Sequence, residues 1–515
     1  MTTPNTPTNE QTQQTDQTRP TKQLATFVIF GGTGDLTKKK LVPAFAQLLH
    51  EHTLAPESII VGIARGDFTH DSYKALLLES AKTNDEKDAI RRANVLFYQA
   101  DSSKVGALDD LRTLIQDAET GEEKGAEKDA GKTAGKSGSS NAQNNTHNKA
   151  NNDGHSAHQR IFYLATSYTL FPGIVDNLVR AKLNKHPHGV KIIFEKPFGS
   201  DLKSAKKIER KLHAVFDEEQ MYRIDHYLGK ETVQNILMLK FANPVVESLF
   251  NKSHVSKIEI VADEQADVGA RLGYYNGVGA IKDMIQSHLL QVAALTLMQS
   301  PKNLNATSIQ DAKVAVLKKL NLAPADQQLV GEYVSFASER AAANQPDLKT
   351  ETFARLTFRC SMPKWKGVPI IIQTGKKLHR KHGQVVVHFK NNKAIDTSHG
   401  LEHIHHNKLV IDIHPHEDIK LFVNIRRRAS AGAPNASHNK IDYEPLNFSA
   451  EAKYGPNTTD GYKRMIADVV LGDKTLFTRT DEVLASWKIF SSLPTLKEQI
   501  RHIVYPDYSD SEQLR

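Results

Sequence analysis

Leu24-Ala25-Thr26-Phe27-Val28-Ile29-Phe30-Gly31-Gly32-Thr33-Gly34-Asp35-Leu36-Thr37 decides how this chain folds. The first seven residues are almost continuously apolar, as in a strand buried on both faces. Glycines follow at once. Lys38–Leu49 then carries Leu41, Phe45, Leu48 and Leu49 at helical spacing. Strand, glycine turn and helix are the context of a dinucleotide site. Glycines let the backbone approach a pyrophosphate, and a helix N-terminus offers free N–H groups and a positive dipole end. The third glycine of the usual fingerprint is absent, so the placement carries the reading.

Working outward, Ser58–Ala64 reads as the second strand and ends at Arg65. An acid at this place suits a free ribose 2′-hydroxyl, whereas a cation suits a 2′-phosphate. Arg65 and Thr33 favour NADP, and Asp67 keeps NAD as the second choice. Asn94–Gln99 and Ile161–Ala165 read as further strands, with a helix near Gly173–Leu183. Lys191–Phe194 is another buried strand, and it delivers Glu195-Lys196-Pro197-Phe198-Gly199. Strands alternating with helices predict a doubly wound parallel sheet of the Rossmann type, which presents ligands at strand ends.

Two segments cannot contribute to that core. Residues 1–23 are mainly Thr, Gln, Asn and Pro, and predict a disordered tail. Residues 117–158 collapse to Gly, Lys, Glu, Asn, Ser and His, and predict a disordered surface insertion.

Arg223-Ile224-Asp225-His226-Tyr227-Leu228-Gly229-Lys230-Glu231 gathers a carboxylate, an imidazole, a phenol and cations in nine residues. A helix from Leu228 onward would set Lys230 one turn from His226 and Tyr227, so that three donors converge. Lys257–Val261 alternates as a strand and leads to Glu264. Gly273-Tyr274-Tyr275-Asn276 reads as a turn, and Ala280–Gln299 as a long apolar helix with Asp283 and His288 embedded in it. Phe353–Phe358, Ile370–Thr374, Val385–Phe389, Leu409–Ile413 and Lys420–Asn424 read as strands. They predict an α+β part with a large, mainly antiparallel sheet. Gly375-Lys376-Lys377, with Arg380 and Lys381 beyond, forms a natural anion clamp. The expected division is 24–225 for the coenzyme and 226–515 for the substrate.

The totals exclude several classes. The net charge of +8, from 67 basic against 59 acidic residues, is spread without a basic stripe and interleaved aromatics, so no nucleic-acid partner is expected. Cys360 is the single cysteine, which excludes an intramolecular disulfide and fits a reducing cytoplasm. No apolar run reaches membrane-spanning length, and the N-terminus lacks an apolar signal core. His403, His405, His406, Asp412, His414 and His416 invite a metal. Pro415 interrupts the strand that would align them, and no metal is expected.

Together the quoted motifs resemble those of the glucose-6-phosphate dehydrogenases. Gly31–Lys40, Glu195–Gly199, Arg223–Glu231, Gly273–Gln291 and Asp460–Trp487 carry the resemblance, which spans about residues 24 to 506 outside the insertion. It implies oxidation of glucose 6-phosphate by NADP. His288 would be the general base and Asp225 its orienting carboxylate. His226, Tyr227, Lys230 and Lys376 would hold the 6-phosphate. Glu264 and Asp283 would bind sugar hydroxyls. Lys196 would touch both sugar and nicotinamide, and Lys381 or Arg380 would add a further substrate cation. Gly31, Thr33, Gly34, Asp35, Leu36 and Arg65 would hold the coenzyme. A homodimer or homotetramer formed through the antiparallel sheet is also implied. The chain departs from the family at Thr166-Ser167-Tyr168, which replaces a proline-containing loop. His414 stands where many members place a glutamine that contacts sugar. Asp412 stands where members with a second, structural NADP carry arginine, so that site is not expected. The rival readings are a dehydrogenase of an unphosphorylated sugar and a catalytically weak regulatory homologue.

Overall fold

The computed structural model describes residues 23–121, 157–275, 277–346, 350–391, 404–426, 441–455 and 461–514. The expected tail up to residue 22, residues 122–156 of the expected insertion and His403 lie outside the described residues.

A six-stranded sheet holds β1 (Ala25–Phe30), β2 (Ile59–Ala64), β3 (Asn94–Gln99), β4 (Gln159–Leu164), β5 (Val190–Phe194) and β6 (Met221–Arg223). The order is β3-β2-β1-β4-β5-β6, parallel throughout. Every residue of β1 is buried, because the sheet is covered on both faces. Phe27 and Ile29 pack with Phe45 and Leu48 of helix Val42–His50. Val28 and Phe30 point the other way, towards Ile174, Val175 and Leu178 of helix Phe171–Arg180. The chain reverses direction across the sheet between β1 and β4. Strand ends at such a switch point diverge and leave a crevice.

The second sheet has ten strands. They are β7 (Val255–Asp263), β8 (Leu320–Leu322), β9 (Leu329–Tyr333), β10 (Phe353–Cys360), β11 (Pro369–Gly375), β12 (His382–Phe389), β13 (Lys408–His414), β14 (Asp418–Arg426), β15 (Ile441–Ser449) and β16 (Arg501–Tyr505). The order is β15-β14-β13-β12-β7-β11-β10-β9-β16, with β8 also on β10. Most pairs are antiparallel, but β7–β11 and β9–β16 are parallel. Alternate residues such as Ile258 and Ile260, Ile370 and Ile372, and Val385 and Val387 share one core with Ile285, Leu289 and Val292. Those last three lie on a continuous helical stretch, wide-turned over Ile281–Leu289 and regular over Leu290–Leu297. The buried helix thus rests on the sheet and holds His288 against it.

The structure corrects several local expectations. Lys38–Leu49 divides into a wide turn, Thr37–Leu41, and helix Val42–His50, near Pro43, which has no N–H to donate. Gly273–Tyr275 is not a free turn, since Leu272–Tyr275 forms one helical turn that buries Leu272 and Tyr275; Asn276 lies outside the described residues. Asp117–Thr120 ends helix Leu111–Thr120, in which buried Ile115 anchors the segment. His158 is buried, with Nδ1 3.1 Å from Thr26 Oγ1. Gln23 bridges to Leu54 rather than ending a tail. β6 and β8, at three residues each, are too short for periodicity to mark them.

Helix Gly461–Leu471 crosses back to the parallel sheet. Met465, Ile466, Val469 and Val470 join the core that contains Phe27 and Ile29. Helix Thr480–Ile489 then carries Glu482 into a buried ion pair with Lys313, 2.7 Å apart. Among the described residues no helix is long and apolar enough to cross a membrane.

Candidate active site

The ends of β1 and β2 build the coenzyme side. Gly31 turns the chain with φ +86°. The N–H groups of Gly31 and Gly32 both donate to Ile63 O at 2.9 Å, and Thr37 Oγ1 donates to Gly31 O at 2.9 Å. A Cβ on Gly31 would meet Ala165 O at 2.7 Å, and one on Gly32 would meet the Gly62 Cα at 2.8 Å. Only glycine lets the turn sit this low between β2 and β4. Thr33, Gly34, Asp35 and Leu36 remain half-buried or exposed at the start of the helical turn. Asp35 pairs with Lys39 at 2.8 Å. Arg65 follows β2, exposed and without an ion-pair partner among the described residues. A glycine cradle, a helix start and a free guanidinium fit a dinucleotide with a 2′-phosphate.

β5 supplies Glu195 and Lys196. Lys196 Nζ donates to Asp283 Oδ1 at 2.9 Å and to Asp283 O at 3.0 Å, which ties the parallel sheet to the buried helix. Burial works to raise the Asp283 carboxyl, but Lys196 and then Arg271 outweigh it and hold the group down to about 2. Arg271 lies 3.6 Å from Asp283 Oδ2, and the Tyr274 hydroxyl 3.5 Å from Oδ1. Sequence reading assigned neither a role; only the folding-back of 271–283 reveals them. Beneath Lys196, Glu195 accepts from the Tyr163 hydroxyl at 2.5 Å, and burial pushes its carboxyl up to about 7.

The stretch after β6 is not helical at Leu228. Leu228 N donates to Asp225 O and Lys230 N to Tyr227 O, in successive tight turns, and the helix begins at Glu231. Lys230 itself is extended, with ψ 133°. The three donors therefore converge through turns and not along a helix face. Gly229 runs against another backbone here, since a Cβ would meet Gly461 O at 3.0 Å.

Asp225 Oδ1 stands 2.5 Å from His288 Nδ1 and also accepts from the Tyr227 N–H at 2.9 Å. The two residues are 2% and 1% exposed. His288 Nε2 is buried and has no hydrogen-bond partner among the described residues. Burial pushes the Asp225 carboxyl up to about 6. Burial, then Lys196, holds the His288 imidazole well below its ordinary value. Near neutrality the pair is a carboxylate and a neutral imidazole. With Nδ1 engaged by a carboxylate, the ring's basic lone pair is at Nε2.

The rings of His226 and Tyr227 lie 4.5 and 4.9 Å from that of His288. Lys230 Nζ sits 4.6 Å from the Tyr227 ring centre. At the facing sheet, β7 and β11 run parallel and end together, Asp263 opposite Gly375. Glu264 and Lys376 follow these ends and form an ion pair. Lys381 is exposed, but close enough to help depress Lys230. Asp225, His226 and His288 have potential ligand atoms within 4.8 Å of one another, a grouping a metal could use. Lys196 and Lys230, whose charges both depress the two histidines, make the place unfavourable for a cation.

A family described as the glucose-6-phosphate dehydrogenase NAD binding domain matches residues 28–235. A second, the glucose-6-phosphate dehydrogenase C-terminal domain, matches residues 237–513. Glucose-6-phosphate 1-dehydrogenase of Chlamydia muridarum is 30% identical over 505 residues, which covers 93% of this chain and 92% of the relative. The enzyme of Mycolicibacterium smegmatis is 34% identical over 475 residues, at 90% and 88% coverage. A solved glucose-6-phosphate dehydrogenase in complex with its substrate glucose-6-phosphate superposes with a TM-score of 0.79 at 28% identity, over 95% of each chain. The Mycobacterium avium structure gives 0.74 at 26% identity, over 94% of this chain and 95% of that one.

Proposed function

The chain belongs to the glucose-6-phosphate dehydrogenase family, and from that premise we propose how its residues perform the family's reaction. It is an NADP-dependent oxidoreductase that converts glucose 6-phosphate to 6-phosphogluconolactone, the first step of the oxidative pentose phosphate pathway. NADP, when bound, supplies the hydride acceptor at nicotinamide C4.

One observation carries the residue assignment: His288 Nε2 is buried and unpartnered, with its other nitrogen engaged by Asp225. His288 Nε2 takes the proton from the sugar O1–H. The O1–H electron pair becomes the second C1–O bond as hydride leaves C1. Asp225 fixes the tautomer and stabilises the imidazolium as it forms. Lys196 and Asp283, held together across the domain boundary, orient the sugar beside the coenzyme. Glu264 receives a sugar hydroxyl. His226, Tyr227, Lys230 and Lys376 hold the 6-phosphate, with Lys381 at the rim, because a dianion is best met by several charge-assisted donors. Gly31, Thr33, Gly34, Asp35 and Leu36 cradle the pyrophosphate, and Arg65 meets the 2′-phosphate. We set the division between coenzyme and substrate parts at 225/226, just after the parallel sheet's last strand.

The active form is a homodimer or homotetramer built on β14 and β15. Ile419 pairs with Phe448 and Leu421 with Leu446, so these residues share one face with Ile425. Leu421, Ile425, Leu446 and Phe448 are all exposed, on an edge hairpin that a second copy would cover. The cytoplasm is the compartment that suits the chain's one, buried, unpaired thiol.

The test follows reduced nicotinamide by absorbance, with glucose 6-phosphate or glucose against NADP or NAD. The expected result is the largest kcat/KM for glucose 6-phosphate with NADP. Equal values for the two sugars would remove the phosphate-binding assignment.

A further inference from the structure

Of the four lysines assigned to the substrate, two are ion-paired, Lys381 is exposed at the rim, and Lys230 feels Glu417 and Asp225 only at longer range. Lys196 is paired with Asp283, and Lys376 with Glu264. Lys230 has no ion-pair partner among the described residues. The hydrogen-bond partner of its Nζ is His414 Nδ1, 3.2 Å away and 184 residues distant in sequence. His414 is the last residue of β13, and it borders a cavity of about 540 Å³ together with Lys230, Glu417, Gly461 and Arg464.

The ring is seated by the strand beside it. Gly383 of β12 lies opposite His414. A Cβ there would fall 2.3 Å from His414 Cε1 and 2.5 Å from Nδ1. The Cε1–Nδ1 edge of the imidazole thus lies against bare backbone, and a side chain at 383 would drive it off. Tyr227 also borders the pair, its ring 6.4 Å from that of His414 and 4.6 Å from Lys230 Nζ.

An ammonium has only donors, so its partner must accept. Nδ1 accepts, which leaves the ring proton on Nε2 and the imidazole neutral. Burial, then Lys230 and Lys381, hold His414 down to about 3, so it stays neutral. Burial, then Lys381, brings Lys230 down to about 8, so it is mostly charged near neutrality. A neutral acceptor fixes a lysine without cancelling its charge, whereas a carboxylate would do both.

We infer that His414 is a positioning residue for Lys230: its neutral Nδ1 and the bare backbone of Gly383 hold the ammonium in place with its charge undiminished for the substrate's phosphate. The inference rests on the phosphate-binding role proposed above.

The experiment measures kcat and KM for glucose 6-phosphate and glucose, with saturating NADP, in the wild type and four variants. His414→Leu is expected to raise KM for glucose 6-phosphate about tenfold, as loss of one charge-assisted hydrogen bond would. Its kcat should change little, and the preference for the phosphorylated sugar should fall by the same factor. His414→Gln, whose amide oxygen is a neutral acceptor, should restore most of the affinity. His414→Glu should do no better than leucine, because it holds Lys230 and neutralises it. Gly383→Ala should mimic His414→Leu, and combining the two should add little. Unchanged KM in His414→Leu, equal losses for both sugars, or wild-type affinity in His414→Glu would each overturn the inference. If leucine prevents folding, the glutamine and glutamate variants still decide it. A wild type that does not prefer glucose 6-phosphate would instead overturn the phosphate-site reading itself.

Discussion

Asp225 Oδ1 lies 2.5 Å from Nδ1 of His288, although 63 residues and a change of domain separate them. Neither side chain reaches solvent, and the far nitrogen of His288 is left without a partner among the described residues. A buried imidazole with one nitrogen committed and the other bare suits the proton transfer proposed for it.

His288→Asn keeps approximate size and polarity and removes basicity. Turnover should fall by about 10² to 10⁴, with KM for glucose 6-phosphate little changed. Asp225→Asn should cost a similar order, and the double variant should be no worse than the poorer single, because the two act as one unit. Melting temperatures measured alongside single-turnover rates separate this from a packing role. Ordinary turnover in a folded His288→Asn protein would end the dyad assignment.

The rate should fall on the acid side. In the proposed dyad the active form is a carboxylate and a neutral imidazole. As pH drops through about 6, where burial has raised Asp225, the pair gains a proton and loses its base. The profile is best read from kcat at saturating substrate, since a sugar phosphate also titrates near pH 6. This limb is not acid unfolding caused by Asp225. Its native pKa lies above the value of about 3.9 in an unfolded chain. The stability it contributes is therefore complete below that value and lost as pH rises through about 6. A protein that remains folded while kcat declines, and an Asp225→Asn variant lacking the limb, are the expected observations.

Arg65→Ala should raise KM for NADP about tenfold to a hundredfold and leave NAD use nearly unchanged, because only NADP carries the 2′-phosphate. Equal losses with both coenzymes would make Arg65 a structural residue of the β2 turn.

Lys313 and Glu482 form an ion pair 2.7 Å long, with side chains 1% and 0% exposed. Lys313 also reaches Gln291, three residues beyond His288 on the buried helical stretch. Glu482→Gln strands a buried ammonium and should destabilise the protein by about 3–5 kcal/mol. Replacing both residues, Lys313→Met with Glu482→Leu, should recover most of that loss. Denaturation midpoints at fixed coenzyme concentration test it, and a double variant as unstable as the single would refute the pair's assigned role.

What the sequence determined by itself was local. The apolar run of β1, the glycine turn and the helix behind it are written in periods of a few residues, because burial and backbone hydrogen bonding impose those periods. A parallel sheet with motifs at its strand ends followed from them, whereas the order of its strands came only from the structure. Asp225, His288, Lys196 and Lys376 were visible as residue types in a meaningful setting. Tertiary structure decided which of them meet. Spacing places Lys230 on a helix face, but turns after Asp225 send it to His414. Asp283 meets Lys196 because the buried helix crosses the end of β5. Residues 461–471 leave their own part of the chain to complete the parallel sheet's core. Pro415 argued in the sequence against a metal at His414, and the contact with Lys230 became visible only when β13 placed His414 beside it. Such pairings depend on how whole elements pack, and the energy that selects them is spread over cores far from the residues concerned, so no local pattern announces them.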